Sequence, residues 1–172
     1  MHIKFNNIRD LADARYAAAA MAEWVGFTVG KADSLPVGKI QEILGWCSGP
    51  KLVLEPDASV TWDMLQAYLS VLPVDGIECT ELQFQTWAEQ PEMQSLSIIL
   101  LGENSTGSIS HSAQPAAAGV AHIWNITAAL SQPEKVTDQQ PFGISVDCTE
   151  SEELISKNFD TWNYFFESIG VF

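Results

Sequence analysis

Basic side chains are scarce in this chain. Lys and Arg number 8 against 22 Asp and Glu, a formal net charge of -14 over 172 residues. Nucleic-acid affinity comes mainly from Lys and Arg neutralising phosphates, so the shortage excludes a nucleic-acid partner. It argues equally against an anionic membrane surface. Long apolar runs are missing as well, and none reaches the ~18 residues of a membrane span. The opening Met1-His2-Ile3-Lys4 lacks the charged-then-apolar layout of a signal peptide. Cysteine is limited to Cys47, Cys79 and Cys148, odd in number and without a C-x-x-C, which reads as reduced thiols of a cytoplasmic protein. His2, His111 and His122 form no H-x-x-x-H, so a zinc site is not expected. No G-x-S-x-G elbow announces a nucleophilic serine. Gly102 to Gly107 has no following Lys-Ser/Thr and is no P-loop. No cofactor is expected.

What the chain does have is core-forming material: 47% hydrophobic residues, including 6 Trp, 8 Phe and 3 Tyr. That suffices for one folded domain over 1–172. Ile3 to Phe5 reads as a strand ended by Asn6-Asn7. Asp10 is placed to cap a helix running through Leu11, Ala14, Ala18 and Met21. Trp24 to Val29 reads as a buried strand, and Ile40, Ile43, Leu44 and Cys47 fall at helical spacing. Leu52 to Leu54 is the next strand. Ser59 is expected to cap a helix carrying Trp62, Leu65, Leu69 and Leu72. Gly76 to Cys79 and Leu96 to Leu101 are strands flanking a short helix from Leu82 to Glu89. Glu103 to Ser112 is polar and reads as a loop, with any following helix near Ala116. Val120 to Trp124 and Phe142 to Val146 are strands, Pro133 limits a helix begun at Ile126, and Phe159 to Ile169 is an apolar closing helix.

Strands alternating with helices imply parallel β-α-β units. Polar residues close the strands at Asn6, Glu55, Glu78, Glu103, Asn125 and Asp147, and from Glu55 onward they recur every 22 to 25 residues. So even a period suits a TIM-type (β/α) barrel better than an open flavodoxin-like sheet, which remains the alternative. Seven strands are readable. A complete barrel runs from ~200 residues upward, so this one is expected to be shortened or irregular between residues 103 and 143.

The opening stretch Ile3-Lys4-Phe5-Asn6-Asn7-Ile8-Arg9-Asp10-Leu11-Ala12-Asp13-Ala14 resembles the start of phosphoribosylanthranilate isomerases, K-I-C-G-[IL]-[TR]-x-x-x-D-A. Glu23-Trp24-Val25-Gly26-Phe27 resembles their second strand, and Gly143 to Val146 with Phe159 to Ile169 resembles their last strand and helix. The resemblance implies an Amadori rearrangement in tryptophan biosynthesis, with a Cys as base, an Asp as acid and backbone amides holding a phosphate. The functional positions depart from it. Asn6 stands at the Cys, Asn7 at the adjoining Gly, and Asn125 at the Asp. Asp147-Cys148-Thr149 stands at the Ser-Ser-Gly after the last strand, and only Lys31 lies near the expected Arg. An amide has no pKa suited to proton transfer near neutrality. The expectation is therefore an isomerase-like protein without the isomerase reaction. An active isomerase using Glu55, Glu78 or Asp147 as acid and base, and a non-catalytic scaffold, are the alternatives.

In a barrel, Asn6, Glu55, Glu78, Asn125 and Asp147 lie at the C-terminal mouth, where such folds keep their sites. They are the candidate site residues, and Glu55, Glu78, Glu103 and Asp147 are candidate ligands for Mg²⁺ or Ca²⁺, which take oxygen donors. A cationic or polyhydroxylated small molecule is the other candidate ligand. The plainer reading of each residue is a solvated strand end or helix cap, as for Asp57. Cys79 reads as a buried thiol. The aromatic tail, Trp162 to Phe172, is expected to pack on the first helix beside the Ala17–Ala20 run; a homodimer is the other way to cover it.

Overall fold

The computed structural model describes residues 1–102, 109–113, 121–126, 130, 132–149 and 159–172. Within them the chain runs β1 (His2–Asn6), α1 (Leu11–Ala19), β2 (Trp24–Val29), α2 (Val37–Trp46), β3 (Lys51–Pro56), α3 (Trp62–Leu69), β4 (Gly76–Thr80) and α4 (Glu81–Trp87). A 3-10 turn (Pro91–Ser95) leads into β5 (Ser97–Leu101), β6 (Ile109–Ser112) and β7 (His122–Asn125), followed by α5 (Pro133–Gln139), β8 (Gly143–Asp147) and α6 (Asp160–Ser168). The eight strands are parallel and close in chain order into a barrel. The closing seam pairs β1 with β8 from His2–Gly143 to Asn6–Asp147.

The expected architecture is present, with one strand more than the seven read from the sequence. The added strand is β6, inside the segment read as a polar loop. Its residues Ile-Ser-His-Ser carry one aliphatic side chain, so neither alternation nor an apolar run marks it. Its polar groups find partners on other strands instead. Ser110 Oγ shares a 2.5 Å hydrogen bond with His122 Nδ1, and His111 turns into the barrel. The shortening falls between β5 and β7, where the sequence has only residues 102–108 and 113–121 between strands. The links over 7–23, 30–50 and 57–75 are about twice as long.

Local signals explain most boundaries. Asp10 caps α1 by accepting the Asp13 N–H. Thr61, not Ser59, caps α3; Ser59 donates its N–H to Asp57 Oδ1 in the preceding turn. Thr80 and Gln83 form a capping box at the start of α4. Pro133 opens α5, since a first-turn proline gives up no intrahelical bond. The α1 helix stops before Met21, which sits exposed at φ 52°. The region near Ala116 and residues 127–129 lie outside the described residues.

Strand side chains alternate between two cores. The outward set, including Phe5, Phe27, Leu54, Ile77 and Ile144, is buried beneath the helices. The closing helix packs as expected: Trp162 and Phe166 meet Phe5 at ring distances of 5.4 and 5.9 Å, and Phe159 stacks on Tyr16 at 4.7 Å. The Tyr16 hydroxyl donates to Asn163 Oδ1 at 2.8 Å. Tyr164 and Phe172 stay exposed. The inward set forms an apolar floor of Trp24, Val53, Ile99 and Ile123 with Ile109 and Phe142. Above that floor the interior turns polar. No helix among the described residues is long and apolar enough to cross a membrane.

Candidate functional site in the barrel mouth

The polar interior is built around Lys4. Lying on β1 between two outward apolar residues, it points inward and is fully buried. A bare ammonium there would be very costly, so it must be met by acceptors. Lys4 Nζ donates to Asn6 Oδ1 and to Glu55 Oε1, and lies 3.1 Å from Glu78 Oε2. Glu55 on β3 reaches it across β2 because Gly26 carries no side chain. A Cβ on Gly26 would lie 1.8 Å from Glu55 Oε1 and 3.0 Å from Lys4 Nζ. Gly26→Ala should therefore push Glu55 off the ammonium and cost about 1–3 kcal/mol in an overpacked interior. Chemical denaturation measures that loss.

From Glu78 the network continues across the barrel. His111 Nδ1 lies 3.0 Å from Glu78 Oε2, and His111 Nε2 shares a 2.7 Å hydrogen bond with Ser145 Oγ. Glu78 Oε2 and His111 Nδ1 thus lie close together without the alignment of a regular hydrogen bond. Ser145, His111 and Glu78 stand in the order of nucleophile, base and orienting acid. Ser145 is nevertheless fully buried, which makes the trio an internal strut.

The electrostatics follow from burial set against pairing. Burial alone would lower the pKa of Lys4, but Glu55 and Glu78 outweigh it and hold it above the ordinary 10.5. Burial pushes Glu78 up, and Lys4 with His111 more than reverse this, holding it at about 2. Burial raises Glu55 too; Lys4 pulls it back and Glu78 opposes that pull, leaving it above the ordinary 4.5. The two carboxyls flanking one ammonium are thus driven apart. Cys79 is buried, and burial followed by the charges of Glu78 and Glu81 raises its thiol to about 12, consistent with a structural thiol.

Glu55 also reaches the rim. Its Oε2 accepts the Asn7 N–H at 3.0 Å and the Thr28 hydroxyl at 3.3 Å. Asn7 holds a left-handed φ of 54° there. Arg9, just beyond, pairs with Asp33 of the loop after β2 at 3.2 Å. Asn6 and Asp147 face each other in register at the tops of β1 and β8, and Asn125 ends β7 opposite Ser145. Asp147 Oδ1 accepts both the N–H and the hydroxyl of Thr149.

The structure thus brings Asn6, Glu55, Glu78, Asn125 and Asp147 to the C-terminal half of the barrel interior. All five lie within the strands rather than past them, and Glu78 lies deepest, mid-way along β4. Glu103 lies outside the described residues. Among the described residues no three His, Cys, Asp or Glu side chains are grouped to hold a metal ion. Between Glu55 and Glu78 the cation is the Lys4 ammonium. Lys4, Thr28, His111 and Ser145 were not singled out by sequence. The one available signal was a lysine in phase with Asn6 on an otherwise apolar strand. His111 moves from an expected loop to the barrel interior.

No family model matches the chain, and no curated protein matches its sequence significantly. Solved structures do match. The phosphoribosyl anthranilate isomerase from Thermus thermophilus superposes with a TM-score of 0.74 at 15% identity, covering 97% of both chains. TrpF from Jonesia denitrificans gives 0.66 at 17%, covering 98% of this chain and 96% of that one. The phosphoribosyl anthranilate isomerase from Thermotoga maritima gives 0.67 at 12%, covering 98% of each. Another Thermotoga maritima structure concerns monomers generated from a dimeric isomerase. At such identities the likeness is one of fold: this chain has the barrel fold of the phosphoribosylanthranilate isomerases.

Proposed function

We propose that this chain is an isomerase-like barrel that does not run the isomerase reaction and binds a small polyhydroxylated molecule at its mouth. Asn6 carries the reading. It stands where the resemblance puts the base, it has no proton to exchange near neutrality, and its side-chain oxygen is taken by Lys4. Asn125 offers no acid at the second position. Lys4 already supplies the cation between Glu55 and Glu78, which favours a neutral hydrogen-bonding ligand over a divalent ion. The acidic rim likewise disfavours a phosphorylated one.

Complementation tests the lost reaction. A tryptophan auxotroph lacking the isomerase should not grow when this chain is supplied. Growth would contradict the proposal and favour the second reading, an active isomerase with substitute groups. One observation supports that second reading. Glu55 is a rim carboxyl whose pKa is raised above its ordinary 4.5, as a general acid requires.

A further inference from the structure

Both oxygens of Glu55 face donors. Oε1 meets the Lys4 ammonium, while Oε2 accepts the Asn7 N–H and the Thr28 hydroxyl. That arrangement satisfies a carboxylate and has no place for a carboxyl proton. A proton on Oε1 would confront the ammonium. A proton on Oε2 can be received only if the Thr28 hydroxyl turns to accept it, and it then faces the Asn7 N–H. Bonds to a charged donor are about twice as strong as neutral ones, so the Lys4 contact is kept and Asn7 gives way.

The Asn7 N–H belongs to the same peptide group as the Asn6 carbonyl. That carbonyl accepts the Cys148 N–H at 3.1 Å, just beyond β8. One peptide plane therefore ties Glu55 of β3 on one edge to the turn after β8 on the other. Its neighbour is fastened independently, since the Ile8 N–H donates to Gly26 O at 2.8 Å. Loss of the Glu55 bond frees this one peptide and leaves the rest of the turn in place.

We propose that Glu55 is a proton-operated latch on the barrel mouth. Ionised, it holds the Asn6–Asn7 peptide across the rim; protonated, it lets that peptide turn and loosens the Cys148 contact. The charged groups facing it are Lys4 from β1 and Glu78 from β4, with His111 of β6 acting through Glu78; β2 contributes only Thr28 and Gly26. Burial and the Glu78 charge, against the pull of Lys4, leave the Glu55 pKa above its ordinary 4.5. The device is independent of the reaction, or lack of one, at the mouth.

Amide exchange and NMR titration of the full chain test it, from about pH 8 down to about pH 4.5. The Asn7 amide shift should follow the Glu55 carboxyl carbon with the same midpoint. Exchange protection of Asn7 and Cys148 should fall about tenfold on protonation, the weight of one lost hydrogen bond, while Ile8 stays constant. The Glu55→Gln variant should show no such transition at Asn7. Three results would overturn the latch: Glu55 titrating while Asn7 stays fixed, no Asn7 transition over the range, or Asn7 and Ile8 losing protection together. The wild-type titration decides even if the variant fails to fold.

Discussion

Replacing Lys4 with Met should cost roughly 3–5 kcal/mol, enough to unfold a domain of ordinary stability. The side chain is fully buried, and its removal leaves Glu55 and Glu78 facing each other without the ammonium between them. Asn6 also loses the donor that its side-chain oxygen accepts. The lost packing is small, since Met fills most of the space of the lysine stem. The loss is therefore electrostatic, which a second substitution set can show. Glu55→Gln and Glu78→Gln added to Lys4→Met should recover much of the stability, because neutral groups leave no unpaired charge. Denaturant midpoints of the single and triple variants measure both effects. A Lys4→Met protein as stable as the parent would mean that the interior network does not hold this barrel together.

Stability should peak at mildly acidic pH rather than near neutrality. Glu78 is held at about 2 against an ordinary 4.5. In that window the unfolded chain binds the extra proton, so stability is complete above 4.5 and is lost as pH falls toward 2. The expected loss is a few kcal/mol. Glu55 works in the opposite sense. Its folded pKa lies above 4.5, so the folded chain binds the extra proton there. That contribution is present below 4.5 and is lost as pH rises through the folded value. The net charge of -14 adds self-repulsion as the carboxyls ionise, in the same direction as Glu55. Thermal midpoints should therefore rise on going from about pH 8 to about pH 5 and drop steeply below about pH 4. A midpoint that climbs steadily up to pH 8 would contradict the assignment of Glu55.

The barrel was legible in the sequence wherever a strand is buried on both faces or is closed by a polar residue at regular spacing. Trp24–Val29 and Gly143–Asp147 are such strands, and their bounds in the fold are close to those expected. β6 was not legible because its polar side chains meet His122, Glu78 and Ser145, which other strands supply. Periodicity records the solvent and core faces of an element. It does not record a polar interior shared by several strands. The same limit applies to the site. Glu55, Glu78 and Asp147 stood out as carboxylates at strand ends, but the residues that give them their chemistry sit one to a strand around the barrel. Lys4 on β1 and His111 on β6 meet at Glu78 only after the sheet has closed. Read as strand-end carboxylates, they suggested a metal; closed into the barrel, Glu55 and Glu78 hold an ammonium.

The proposed loss of the isomerase reaction is a kinetic claim, resting on Asn6 and Asn125 at the positions where the resemblance puts a base and an acid. Purified protein mixed with freshly prepared phosphoribosylanthranilate measures it directly, through the decay of substrate fluorescence. The account predicts a rate no faster than that of buffer. Turnover by the wild-type chain that is abolished by Glu55→Gln would contradict it, and would make Glu55 the acid of a working isomerase.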